Sequence, residues 1–195
     1  MKNIIQQSLQ NSLSYTAYRQ LINDLLTEGK STGTTEYPDY LQFSELNKSR
    51  MNRLDKTLKV LENNKQKLLK LTMSYTWLVI SEGWCGDAAQ ILPVLNKLAE
   101  VSDNIDLRIV IRDENLELMD QFLTNGNRAI PILLILDAEM NVVNQWGPRP
   151  LTATQMVLDY KTKYGLLDAD FKIQLQTWYN ENKGIEIQNE VMNLF

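Results

Sequence analysis

The chain has 195 residues, of which 44% are hydrophobic, and it carries a formal net charge of −4 at pH 7. This length and apolar content are enough for one well-buried domain with an elaboration, and too small for two large domains. Lysine and arginine are dispersed among the acids, which argues against a nucleic-acid partner. No apolar run approaches the ~20 residues that a membrane span needs, so we expect no membrane association.

The N-terminal 72 residues read as helices. Residues 1–30 carry apolar side chains at helical spacing, and a polar loop follows at residues 31–39. We predict a further helix from Ser44, with an interruption near Asn63 and Asn64. Arg50 and Arg53 share one side of this helix, and they either form a solvated face or allow one arginine to reach the pocket of the Cys85 thiol. We therefore predict a helical N-terminal extension over residues 1–72.

Residues 76–80 form a short, β-rich apolar run of the length of a buried strand, and apolar residues at helical spacing begin at Ile91. Cys85 lies between them, so we expect it at a helix N-terminus. Unpaired backbone N–H groups and the helix dipole favour a thiolate there. Asp87 acts in the opposite direction, because a nearby carboxylate repels a thiolate. The sequence leaves the net direction of the Cys85 pKa shift open.

A second strand is predicted over residues 105–111, and the strand–helix–strand order implies a parallel pair. The carboxyl end of this strand then shares a sheet edge with Cys85, which is where open α/β sheets bind ligands. Arg112 stands at that end. It is a candidate charge partner for a Cys85 thiolate, with an ordinary ion pair to Asp113 or Glu114 as the alternative.

The remaining chain predicts an antiparallel hairpin and more helices. Residues 130–136 and 142–146 form its two strands. Pro131 is awkward at the head of an apolar strand, and a cis peptide bond before it resolves the difficulty. A helix over residues 151–164 follows, and residues 166–195 carry a helical C-terminal extension with an interruption near Gly184.

Two motifs resemble the thioredoxin superfamily. Trp84, Cys85 and Gly86 match the start of its Trp-Cys-Gly-Pro-Cys active-site segment, whereas Asp87 and Ala88 depart from it. The run of residues 128–135 resembles the cis-proline segment of the superfamily, which leads into a core strand. The resemblance implies a thioredoxin-like α/β fold with a four-stranded mixed sheet in the order second, first, third, fourth. Residues 73–165 would form its core, within one compact domain.

The departure at Ala88 bears on activity, because a dithiol oxidoreductase needs a resolving cysteine there and Cys85 is the only cysteine of the chain. We carry two hypotheses. In the first, Cys85 is a monothiol that exchanges with a thiol- or disulfide-bearing protein or with a low-molecular-weight thiol such as glutathione, and an external thiol resolves the adduct. In the second, the chain is a redox-silent binding module for an extended peptide or protein partner.

The predicted site comprises a catalytic residue and six binding residues, namely Cys85 with Trp84, Gly86, Asp87, Arg112, Ile130 and Pro131. Iron–sulfur carriage, as in monothiol glutaredoxins, is discounted because those proteins have Phe-Ser where this chain has Asp87 and Ala88. The chain has no histidine, which excludes Cys–His and Ser–His–Asp catalysis within one chain. We predict no metal and no cofactor. The N-terminus lacks the apolar core of a signal peptide, and a lone cysteine suits a reducing compartment, so we expect a cytoplasmic protein.

Overall fold

The computed structural model describes residues 1–33 and 37–195. The chain begins with four helices, α1 (Lys2–Gln10), α2 (Tyr15–Thr27), α3 (Pro38–Thr57) and α4 (Glu62–Leu69). The central part holds β1 (Tyr75–Ser81), α5 (Ala88–Ala99), β2 (Ile105–Ile111), α6 (Leu116–Met119), β3 (Ile132–Leu136), β4 (Val142–Trp146) and α7 (Leu151–Tyr164). A 3₁₀ turn (Arg112–Glu114) follows β2, and the chain ends with α8 (Ala169–Asn182) and α9 (Ile185–Met192).

The four strands form one mixed sheet in the order β2-β1-β3-β4, as predicted from the sequence. β1 pairs with β2 in parallel and with β3 in antiparallel, and β3 pairs with β4 in antiparallel. β1 and β3 are central and apolar, and all five residues of β3 are buried. β4 lies at an edge and is mostly exposed, which explains its more polar sequence.

The N-terminal extension covers the other edge of the sheet. Leu13, between α1 and α2, exchanges two backbone hydrogen bonds with Ile109 of β2, at 2.7 and 2.8 Å. An exposed strand edge invites pairing with other chains, and this contact occupies part of it. The loop between α1 and α2 is therefore hydrogen-bonded to β2.

α5 is buried on nearly all sides. It packs against β2 on one side and against α3 and α9 on others, and its apolar residues consequently surround the helix rather than forming a single stripe. This packing brings α3, from the N-terminal extension, to the end of β1 where the Cys85 loop begins.

Two details of the predicted extension were wrong. α3 begins at Pro38, a favoured residue for a first helical position, rather than at Ser44. Ser44 is instead buried inside the helix, where its hydroxyl hydrogen-bonds Ser31 at 2.6 Å. The break lies between α3 and α4, and Asn64 is a buried residue of α4. Residues 34–36 of the predicted loop lie outside the described residues.

Among the helices of the described ranges, none has the length and apolar character needed to cross a membrane.

Candidate functional site

Cys85 lies in the loop between β1 and α5, where the helix begins. The backbone carbonyl of Cys85 accepts a hydrogen bond from Ala89 N–H at 3.1 Å, and Ala88 N–H donates to Cys85 Sγ at 3.5 Å. The side chain is only 7% exposed. The thiol therefore contacts the N-terminus of α5, but from a nearly enclosed position.

The loop before β3 lies against the thiol. Cys85 Sγ–H donates to the Ile130 carbonyl at 3.4 Å, and the Ile130–Pro131 peptide bond is cis. Ile130 is itself buried. The fold thus joins the two segments that carry the thioredoxin resemblance, because β1 and β3 are neighbours in the sheet.

Gly147 allows a third loop to approach the same place. A Cβ on Gly147 would collide with the carbonyl oxygen of Pro131, and its φ of +119° belongs to the region that favours glycine. The close approach of residues 147–150 to the Pro131 loop brings Arg149 beside Asp87. Nothing in the sequence indicated that Arg149 enters the site.

Asp87 is buried and both of its carboxylate oxygens are occupied. Oδ2 forms a salt bridge with an Arg149 guanidinium nitrogen at 2.7 Å, and Oδ1 accepts a hydrogen bond from the Tyr179 hydroxyl at 2.8 Å. Burial lowers the pKa of Arg149, but the charge and hydrogen bond of Asp87, together with the charges of Tyr179 and Cys85, outweigh burial, so the net direction is upward. Burial and then Asp87 raise the pKa of Tyr179 well above its usual value. This network ties the Cys85 loop to α8, a contact that the sequence analysis missed.

The surroundings of Cys85 determine the direction of its pKa shift, which the sequence left open. Burial, followed by the charge of Asp87, raises the pKa of Cys85 to about 12. Backbone N–H groups of Ala88 and Asp87 and the charge of Arg149 act in the opposite direction, and they are outweighed. The thiol is therefore protonated at neutral pH.

Trp84 lies between an aromatic ring and a guanidinium. The Tyr40 ring from α3 stacks on it with 4.2 Å between centroids and 9° between planes, and the Arg112 guanidinium carbon lies 4.9 Å from its centroid. Arg112 forms an ion pair with Asp113 at 2.7 Å. Of the two roles considered for Arg112, the structure therefore contains the ordinary ion pair, and the charge that acts on Cys85 comes from Arg149.

These residues surround an open groove of about 720 Å³. Cys85, Trp84, Gly86, Asp87, Arg112 and Ile130 all line it, whereas Pro131 does not. α3 and α8 contribute further lining residues, so the helical extensions form part of its walls. In the described part of the chain, no group of three or more Asp, Glu, Cys or His side chains is arranged to hold a metal ion.

Glu82 follows β1 directly and is completely buried. Its Oε1 accepts a hydrogen bond from Asp113 N–H at 2.9 Å, and its Oε2 accepts one from the Thr32 hydroxyl. Burial raises the pKa of Glu82 to about 7, although these hydrogen bonds oppose the shift. The sequence analysis missed this residue, and a carboxylate placed directly after an apolar strand was the available signal.

We expect Glu82→Gln to change the pH dependence of stability. The unfolded carboxyl ionises near pH 4.5 and the folded one near 7, so the folded state holds more protons in between. The stability that Glu82 contributes is complete below about pH 4.5 and is lost as pH rises through about 7. The free energy of unfolding of the Gln variant, relative to wild type, should rise across this window by up to about 3 kcal/mol.

Urea unfolding from pH 4.5 to 8.5 measures this difference. Glu117→Gln, at an exposed position, is the matched control and should run parallel to wild type. If the free energy of unfolding of Glu82→Gln also runs parallel to that of wild type across this pH range, the pKa of Glu82 is not raised in the folded protein.

Comparisons with known proteins agree with this geometry. A thioredoxin family model matches residues 34–164. Two solved structures share the fold: a protein of unknown function from Pseudomonas aeruginosa, and an HIV epitope-scaffold. The first has a TM-score of 0.62 at 17% identity and covers 93% of this chain and 96% of its own. The second has a TM-score of 0.55 at 21% identity and covers 93% of this chain and 97% of its own. Among curated proteins no match is found.

Proposed function

This chain belongs to the thioredoxin family, and on that premise we propose that it is a redox-silent binding module whose ligand occupies the Cys85 groove. The observation that carries the proposal is a buried thiol with a pKa raised to about 12, at the edge of an open groove of about 720 Å³. A groove of this size suits a small molecule or a short extended segment. Helices α3 and α8 wall the groove, which disfavours a flat protein surface as the occupant.

The protonation of Cys85 argues against efficient thiol chemistry. The thiolate is the nucleophile, and a pKa of about 12 leaves roughly one thiol in 100,000 ionised at pH 7. A more basic thiolate is intrinsically more reactive, but this recovers only part of the loss. No second cysteine exists in the chain to resolve an adduct.

A monothiol redox function is the second candidate, because Cys85 lines the groove and receives the Ala88 N–H. In this reaction the Cys85 thiolate attacks one sulfur of a bound disulfide, the other sulfur leaves as a thiolate, and Cys85 keeps a mixed disulfide. An external thiol then attacks that adduct and releases Cys85. This route requires ligand binding to lower the pKa of Cys85.

Alkylation by iodoacetamide, which is uncharged, separates the two functions. We expect the native protein at pH 7 to react on the order of 100-fold more slowly than a free cysteine, because thiolate loss outweighs the gain in nucleophilicity. The rate should keep rising with pH beyond 9. In urea, Cys85 should react as a free cysteine does. A native titration midpoint below about 8.5 would instead establish a poised monothiol.

A further inference from the structure

We propose that the occupant of the groove is a small organic anion, and that Arg50 of α3 binds its negative group. This inference rests on the proposed binding function and specifies its ligand class.

Positive charge dominates the groove. Its lining includes five cationic side chains, namely Arg50, Arg112, Arg128, Arg149 and Lys172, and a single carboxylate, that of Asp87. Since the whole chain carries a net charge of −4, this concentration of cations is local to the groove. A cleft lined by charges of one sign attracts ligands of the opposite sign.

Three of these cations already have carboxylate partners. Arg112 pairs with Asp113, Arg128 with Asp120 and Arg149 with Asp87. Arg50 differs, because among the described residues its guanidinium forms only a hydrogen bond of 2.8 Å, to the side-chain oxygen of Asn47. Within residues 1–33 and 37–195, no carboxylate lies within 4 Å of its guanidinium.

Because Arg50 is partly buried, an uncompensated positive charge at this position is unfavourable in the absence of a ligand. Burial, followed by the charge of Arg53, lowers the pKa of Arg50, while the charge of Asp87 acts in the opposite direction and is outweighed. One of its guanidinium nitrogens lies 3.6 Å from the point where a Cβ on Gly86 would stand, so the cation reaches the Cys85 loop. A bound anion would compensate this charge, and guanidinium groups match carboxylate and phosphate groups with two parallel hydrogen bonds.

Gln176 and the apolar walls define the rest of the ligand. The Gln176 amide nitrogen lies 3.4 Å from the same Gly86 point. It donates one hydrogen to the Gly86 carbonyl at 3.5 Å, and its second hydrogen provides a neutral donor beside Arg50. Much of the remaining lining is apolar, with Phe43 and Leu46 from α3 and Phe171 and Leu175 from α8. The ligand class is therefore a carboxylate or phosphate with an apolar body.

Cys85 itself provides the reporter. Three methanethiosulfonate reagents carry the same reactive group and differ in charge: a sulfonatoethyl, a trimethylammonioethyl and a methyl reagent. Each gives the Cys85 mixed disulfide, methanesulfinate and a proton, so sulfur oxidation states and charge balance. Each rate is divided by the rate of the same reagent with free cysteine, which removes the intrinsic reactivity of the reagent, and then by the corresponding value for the methyl reagent, which removes any change in the pKa of Cys85. The normalised rates of the anionic and cationic reagents then differ only through the charge around Cys85.

In wild type at low ionic strength, we expect the anionic reagent to react at least about tenfold faster than the cationic one, because a nearby unpaired cation contributes roughly this factor. Arg50→Gln should reduce the ratio at least fivefold. Lys65→Gln, which removes an exposed charge on α4, should leave it unchanged. A wild-type ratio near one overturns the anion site, and an unchanged ratio in Arg50→Gln overturns the role of Arg50.

Protection of Cys85 from the methyl reagent tests the ligand class directly. Hexanoate and hexyl phosphate carry the two head groups on the same apolar tail, and we expect protection by at least one of them in wild type and not in Arg50→Gln. If neither compound protects Cys85, or if inorganic phosphate protects it equally well, the proposal that the ligand is an organic anion is overturned. If the iodoacetamide titration showed a low Cys85 pKa, only the redox-silent part of the proposed function would be refuted. The anion site would still stand, because a change in the Cys85 pKa does not alter these ratios between charged reagents.

Discussion

Asp87→Asn should destabilise the protein by about 3–5 kcal/mol and should also make Cys85 more reactive. Asp87 is the buried partner of Arg149 and accepts the Tyr179 hydroxyl. Removing its charge leaves the Arg149 guanidinium uncompensated in a buried position, which accounts for the cost. The same change removes the carboxylate that raises the pKa of Cys85 and leaves the cation that lowers it. We expect native labelling at pH 7 to accelerate about threefold for each unit by which the pKa of Cys85 falls, because the tenfold gain in thiolate is partly offset by the lower nucleophilicity of a less basic thiolate.

Urea unfolding and iodoacetamide labelling measure the two effects on the same samples. Asn is nearly the same shape as Asp, so the variant changes charge rather than packing. The double variant Asp87→Asn/Arg149→Gln is the control, because it removes both charges. It should regain part of the lost stability and part of the high pKa of Cys85. If iodoacetamide labels Cys85 of the Asp87→Asn variant at the wild-type rate, and if low concentrations of urea do not change that rate, Asp87 does not control the reactivity of the thiol.

Ala88→Cys should convert the chain into one that forms an internal disulfide under mild oxidation. Ala88 is the first residue of α5, and its N–H already contacts Cys85 Sγ. Residues three apart at a helix start bring their Cβ atoms to about 5–6 Å, within the adjustment that a disulfide needs. Both positions are buried, and Cys is only slightly larger than Ala, so we expect little loss of stability. Thiol counting after oxidation should fall from two free thiols to none.

Ala99→Cys is the matched control for that experiment. Ala99 is a buried alanine at the other end of α5, about 16 Å along the helix axis from the start, so its thiol should remain free beside Cys85. We expect Ala88→Cys to gain less in disulfide reduction than in disulfide formation, since Asp87 still disfavours the thiolate. A proline at residue 87, as thioredoxins often have, would leave Arg149 unpaired and should destabilise the protein. Two free thiols in oxidised Ala88→Cys would contradict the placement of Cys85 at the start of α5.

Much of the fold was accessible from local sequence patterns. The apolar runs that became β1, β2 and β3 are short and β-rich, and their order along the chain allows few arrangements once the first pair is parallel. Helix boundaries were harder, as Ser44 shows. A serine is a good N-cap by itself, but here the helix continues through it because burial against Ser31 and a proline at residue 38 favour an earlier start.

The surroundings of Cys85 also include features that the sequence determined and features that only the tertiary structure decided. By itself, the sequence determined the loop that carries Cys85 and the family motif with Ala88 at the resolving position, since each depends on residues close together in the chain. The sheet order followed from the family resemblance that this motif carries. The tertiary structure alone decided the state of the thiol. Arg149 and Tyr179 come from segments more than 60 residues away, and the thiol is covered by the Ile130 loop, which is 45 residues away. Electrostatic shifts depend on distance in space and on desolvation, which no local pattern records.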